Sequence, residues 1–87
     1  MMIPSIHLNG TSQKELLELN CDAANQVSDA ISRLSRATPH GRDYYVQGSD
    51  AWTKAMREHE CRIDKLREVY TELQSLCVAI DDGGFKR

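Results

Sequence analysis

The sequence is short of most features that give a chain a catalytic or a membrane-bound role. It has two prolines, one tryptophan and one phenylalanine in 87 residues. No apolar run approaches the ~20 residues needed to span a bilayer, and the N-terminus has neither the basic nor the apolar segment of a secretion signal. A glycine-rich phosphate loop, a zinc-ligand spacing and a nucleophile elbow are also missing. We therefore expect a cytoplasmic protein that is not an enzyme and needs no metal ion or cofactor.

The charge balance and the cysteine content exclude further classes of protein. Eleven basic and thirteen acidic residues give a formal net charge of -2. That balance argues against a general nucleic-acid binder, which carries a basic excess, and it is too mild for an acidic mimic of DNA. Cys21, Cys61 and Cys77 are an odd number without a Cys-x-x-Cys spacing. This pattern is typical of reduced thiols in a cytosolic protein.

The strongest pattern in the chain is a heptad repeat between positions 49 and 80, in which every member except His59 can be buried readily. Its members follow one another in alternating steps of four and three: Trp52, Met56, His59, Ile63, Leu66, Tyr70, Leu73, Cys77 and Ile80. Val69 and Leu76 widen this stripe on one side. The repeat predicts a long amphipathic helix that packs against a partner helix, and we interpret the nine residues as the seam of a helical oligomer.

A second helix is predicted earlier in the chain. Ser12 and Glu15 have the spacing of a capping box, and Pro39 disfavours helix in the residue before it. The apolar stripe of this helix is narrow and rich in alanine, so that a partner helix can approach closely. The resulting division is an arm at 1–10, a helix at 11–38, a loop at 39–48, a helix at 49–80 and a frayed tail at 81–87.

The fold class predicted from these elements is all-α. The two helices form an antiparallel hairpin with an extended N-terminal arm, as one domain over residues 1–87. Because a two-helix hairpin buries little surface by itself, we expect it to assemble with copies of itself into a helical bundle. A dimer and a larger closed ring both remain open.

The loop at 39–48 is the candidate binding site, because it contains two of the three tyrosines in the chain. Arginine can hold a phosphate with two hydrogen bonds, tyrosine can stack on a base and glutamine can recognise a base edge. The predicted ligand-binding residues are Arg42, Asp43, Tyr44, Tyr45 and Gln47, with Arg57 and Arg62 from the second helix. In the alternative interpretation the tyrosines close the end of the bundle and the helix arginines belong to a solvated face.

Three stretches resemble those of a family of small phage and prophage proteins that are usually described as hypothetical. They are PSIHLNGTS at residues 4–12, HGRDYYVQG at residues 40–48 and EHECR at residues 58–62, followed by Leu66 and Val69. The resemblance covers residues 3–80, and the chain departs from it at His40, where asparagine is expected. It implies a small, soluble, non-enzymatic accessory protein in the cytoplasm of a host cell.

Such a context favours a counter-defence role, for which two mechanisms compete. In the first, the oligomer is a sponge that sequesters a small anionic nucleotide made by a host immune enzyme. In the second, the helical surface binds a host defence protein directly, as many anti-CRISPR proteins do. A third alternative is a structural or assembly module of the phage. The tyrosine- and arginine-containing loop and the near-neutral charge favour the first.

Overall fold

The computed structural model describes residues 1–86 and shows an all-α antiparallel hairpin. Helix α1 (Gln13–Ser35) and helix α2 (Ala51–Asp81) pack along their length. They are joined by a connection that contains two short 3-10 turns, Gly41–Asp43 and Tyr45–Gln47. The molecule measures 62 × 21 × 17 Å, so it is a narrow rod.

Both ends of α1 follow from local hydrogen bonding. Ser12 is the N-cap, and its Oγ accepts a hydrogen bond from the Glu15 amide at 3.1 Å, as the capping-box spacing predicts. The helix ends at Ser35, earlier than the predicted residue 38. The reason is that the Arg36 amide donates to the Arg33 carbonyl, three residues back, at 3.1 Å, which tightens the last turn.

Helix α2 starts two residues later than predicted, at Ala51. Asp50 occupies the N-cap position, but its backbone is already helical (φ −95°, ψ −9°), and its side chain makes no capping hydrogen bond. Gly48 precedes the cap with a φ of 113°, a conformation that favours glycine. The prediction that Ser49 or Asp50 caps the helix is therefore right about the position and wrong about the side-chain bond.

The N-terminal arm and the end of α2 meet at one end of the hairpin. The Gln13 side-chain amide on α1 donates to the Ile80 carbonyl at 2.8 Å and to the Asp81 carbonyl at 3.2 Å, and so ties α1 to the C-terminal end of α2. The arm pairs with the tail, because the Phe85 amide donates to the Pro4 carbonyl at 2.8 Å. The expectation of a frayed tail is therefore wrong for Phe85, while Arg87 lies outside the described residues.

The core of the hairpin is thin. Within residues 1–86 the buried apolar residues are Ala24, Ile63 and Ile80, and His59 is buried with them. Ile80 is the only one of these with no exposed surface. The His59 Nε2 atom has no hydrogen-bond partner among the described residues. Most apolar side chains along the interface are only half-buried, so one chain on its own leaves much of its apolar surface in water.

Neither helix combines the length and the low charge that a bilayer-crossing segment requires, as far as residues 1–86 are concerned.

Candidate functional site

The loop between the helices is held in shape by its own backbone and by Trp52. The His40 side chain is the N-cap of the first 3-10 turn, and its Nδ1 accepts a hydrogen bond from the Arg42 amide at 3.1 Å. The Trp52 indole N–H, on the first turn of α2, donates to the Pro39 carbonyl at 2.9 Å. A Cβ atom at Gly41 would lie 3.8 Å from the Trp52 ring, so this stretch of backbone packs against the indole. The loop is therefore an ordered structure fixed to α2.

The side chains predicted to bind a ligand point mostly into solvent. Arg42, Asp43, Tyr45 and Gln47 are exposed, with Tyr45 at 75%, and Tyr44 is half-buried. The side-chain hydrogen bonds described for residues 1–86 involve none of these five side chains. Tyr45 therefore does not close the end of the single-chain hairpin, and the loop displays a cation, a phenol and an amide on a fixed backbone.

The two helix arginines are not brought together with each other. Arg57 and Arg62 are both exposed, and the ion pairs described for residues 1–86 include neither. Five residues of α-helix turn the side-chain direction by about 140°, so the two guanidinium groups leave α2 on different sides. Arg62 also lies about 16 Å along the helix from its start at Ala51, at ~1.5 Å per residue. A single chain therefore offers no common pocket for Arg42, Arg57 and Arg62.

Eight of the nine heptad residues of α2, from Met56 to Ile80, face α1 of the same chain. His59, Ile63 and Ile80 are buried, and Met56, Leu66, Tyr70, Leu73 and Cys77 are half-buried. Trp52 is 47% exposed because it lies beyond the end of α1, against the loop. This stripe is the contact surface of the hairpin itself. Its proposed use as a seam between different chains stays a prediction.

A pair of thiols on the two helices was not anticipated from the sequence. The Cys21 Sγ on α1 lies 3.3 Å from the Cys77 Sγ on α2, while Cys61 is exposed. Burial, together with the neighbouring Cys21 thiol, raises the pKa of Cys77. Both cysteines line a shallow concave surface with Asn25 and Gln74. Only the register of α1 against α2 brings the thiols together, and the spacing of cysteines along the chain contains no signal for it.

The other concave surfaces described in residues 1–86 are open to solvent, and they lie along the two helices rather than at the loop. One is lined by Asp64, Arg67, Glu68, Thr71 and Glu72. Histidine, cysteine and carboxylate side chains do not gather in groups of three or more within the described part of the chain. Comparison of the chain with protein-family models, with curated proteins and with solved structures gives no match.

Proposed function

We propose that this chain is a non-enzymatic, oligomeric sponge of phage origin that binds a small anionic nucleotide through its loop and thereby removes a host immune signal. The observation that supports the proposal is the state of the loop. Its backbone is fixed by His40 and Trp52, yet Arg42 and Tyr45 extend freely into solvent. A prearranged loop loses little conformational entropy when a ligand binds, so these side chains can contribute directly to affinity.

The chemistry of the loop suits a nucleotide. The Arg42 guanidinium can donate two parallel hydrogen bonds to a phosphate, and the Tyr45 ring can stack on a base. Gln47 adds a donor and an acceptor at the same end of the hairpin. In this proposal Asp43 and Tyr44 complete the loop, while Arg57 and Arg62 contribute only where another chain brings them near a loop.

A thermal-shift screen of the purified full chain tests the proposal. The probes are cyclic dinucleotides and trinucleotides, ADP-ribose derivatives and mononucleotides. A ligand present at about 100 times its Kd adds ~2.7 kcal/mol to the free energy of unfolding. For a domain of this size that raises the melting temperature by ~10 to 20 °C. The proposal is wrong if none of these compounds changes the melting temperature of a folded protein.

A matched pair of variants assigns a positive result to the loop. Arg42→Ala is expected to weaken binding by about 10- to 100-fold, because a hydrogen bond to a charged group contributes ~1.5–3 kcal/mol. Arg36→Ala removes an exposed arginine from the C-cap of α1, at the same end of the hairpin, and is expected to leave binding unchanged. Equal losses in both variants would mean that the ligand responds to general positive charge rather than to the loop.

One feature of the loop favours the alternative, a protein-binding inhibitor of a host defence complex. Val46 is 75% exposed beside Tyr45, and a small polar ligand gives an isolated valine no role. A protein partner would cover both side chains together. Under this alternative Val46→Asp abolishes co-purification with the host protein, whereas nucleotide binding under the first proposal tolerates that change.

A further inference from the structure

Each helix carries a second set of apolar residues beside the stripe that forms the hairpin interface. On each helix these residues are spaced seven apart. The series on α1 includes the residue immediately before Ala24, and the series on α2 includes the residue immediately before Tyr70. They form the apolar flank, which consists of Leu16, Ala23, Ala30, Ala55, Val69 and Leu76. The corresponding positions on the other side of each stripe are mainly polar, for example Ser28 on α1 and Gln74 on α2. At this seven-residue spacing on α2, Arg62 is the one charged residue.

The two halves of this flank lie on one side of the hairpin. When two α-helices pack antiparallel, the residues that immediately precede the interface positions of one helix lie on the same side of the pair as the residues that immediately precede the interface positions of the other. The opposite side confirms the geometry, because Asn25 of α1 and Gln74 of α2 line one concave surface there. The two halves of the apolar flank therefore lie on the side of the hairpin opposite to Asn25 and Gln74.

The apolar flank is not covered in the single chain. Ala23 and Ala30 are exposed, Val69 is 44% exposed, and Leu16 and Leu76 are half-buried. An apolar face that spans two helices is unusual on a free monomer and is typical of an interface.

The exposed area of the chain is large enough for a stable interface. A compact monomer of 9.9 kDa exposes about 5,200 Å² by the usual size relation, whereas this chain exposes 6822 Å². The surplus of about 1,600 Å² exceeds the ~800 Å² per partner of a standard interface. The radius of gyration, 18.8 Å, is likewise well above the ~12 Å of a compact domain of this length.

From these observations we infer that the apolar flank is covered by a second copy of this chain, so that two hairpins form an antiparallel four-helix bundle. The flank is self-complementary. Its α1 half has alanines at Ala23 and Ala30 and its α2 half has the larger Val69 and Leu76. When two copies stack around a twofold axis with α1 of each against α2 of the other, large residues meet small ones.

The seven-residue spacing of the flank gives the second interface the same packing geometry as the first. The inference rests on the proposal that the protein is oligomeric, and it identifies the partner as a second copy of this chain. It is tested without a nucleotide, so that failure of one does not imply failure of the other.

The test is the mass of the full chain by light scattering over a range of protein concentrations. The wild type is expected to have a mass of twice 9.9 kDa. Ala23→Glu is expected to weaken association by about 100-fold or more, because it buries a carboxylate on the part of the flank that lies far along the rod from Arg62. Ser28→Glu is the matched control: it places the same charge on the same helix, at an exposed position on the side opposite to the flank. It is expected to leave the mass unchanged.

A second pair of variants tests the same flank from α2, in case a variant of the first pair does not fold. Val69→Glu on the apolar flank of α2 is expected to dissociate the dimer, and Thr71→Glu, which is exposed off the flank, is expected to retain it. Circular dichroism checks that all four variants keep the helix content of the wild type. A wild type that stays monomeric overturns the inference, as does an oligomer that both flank variants leave intact.

Discussion

Oxidation is expected to join Cys21 and Cys77 in a disulfide within one chain. Their sulfur atoms lie 3.3 Å apart, and a disulfide needs ~2.05 Å, so small movements of two side chains are sufficient. With oxidised glutathione as the oxidant, one thiolate displaces a glutathione thiolate and forms a mixed disulfide. The second cysteine then displaces the other glutathione, so that two cysteine protons leave and two glutathione thiols form.

The size of the effect follows from the length of the closed loop. The two cysteines are 56 positions apart. In the chain-entropy model a cross-link over about 56 residues restricts the unfolded state by ~4 kcal/mol. At ~4–8 °C per kcal/mol for a domain of this size, the melting temperature is expected to rise by ~15 °C or more.

The assay combines mass spectrometry with alkylation in the Cys61→Ser background, which removes the exposed third thiol. The oxidised chain is expected to be lighter by two hydrogen atoms and to accept no alkyl label, whereas the reduced chain accepts two. Because the pKa of Cys77 is raised, less thiolate is present near neutral pH and the oxidation should speed up as the pH increases. Two labels after oxidation, or no more stabilisation than in a Cys77→Ser control, would refute the reasoning and the helix register behind it.

Two core substitutions test the energetics of the hairpin in denaturant titrations. Ile80→Ala is expected to lower the free energy of unfolding by ~2–5 kcal/mol, because Ile80 has no exposed surface, and Val78→Ala, at a position 61% exposed, should change it by less than ~0.5 kcal/mol. Similar losses for the two would show that Ile80 is not in the core. His59→Leu is expected to raise the free energy of unfolding by ~1 kcal/mol, because it removes a buried Nε2 that has no hydrogen-bond partner among the described residues. A loss of stability would indicate that Nε2 has a partner in the assembled protein.

The helical part of the fold could be predicted from local patterns. The alternating steps from Trp52 to Ile80 identify α2, and from Met56 onward they also identify the face that packs on α1, because helical periodicity and burial agree there. Ser12 and Glu15 identify the start of α1 for the same local reason. The predicted helix ends are less accurate where a backbone hydrogen bond sets the end of the helix. At the end of α1 the Arg36 amide donates to the carbonyl three residues back, and no side chain signals this.

Features that depend on distant parts of the chain were missed. The bond between the Phe85 amide and the Pro4 carbonyl joins backbone groups, so no side-chain pattern indicates it. The proximity of Cys21 and Cys77 depends on how far α1 is shifted along α2, which a heptad pattern leaves free by whole turns. The exposed state of Tyr45 was also open, because a tyrosine in a loop is compatible with burial and with display.

The hairpin keeps its N-terminal arm far from the loop that joins the helices. Gln13 and the pairing of Pro4 with Phe85 hold the arm and the end of α2 together at one end, and the loop with Arg42 and Tyr45 lies at the other. The rod between them is up to 62 Å long. A tag, a surface or a fused domain attached at either terminus would therefore stand several nanometres from the loop. Immobilisation near Pro4 or Phe85 should leave Arg42 and Tyr45 exposed to solvent.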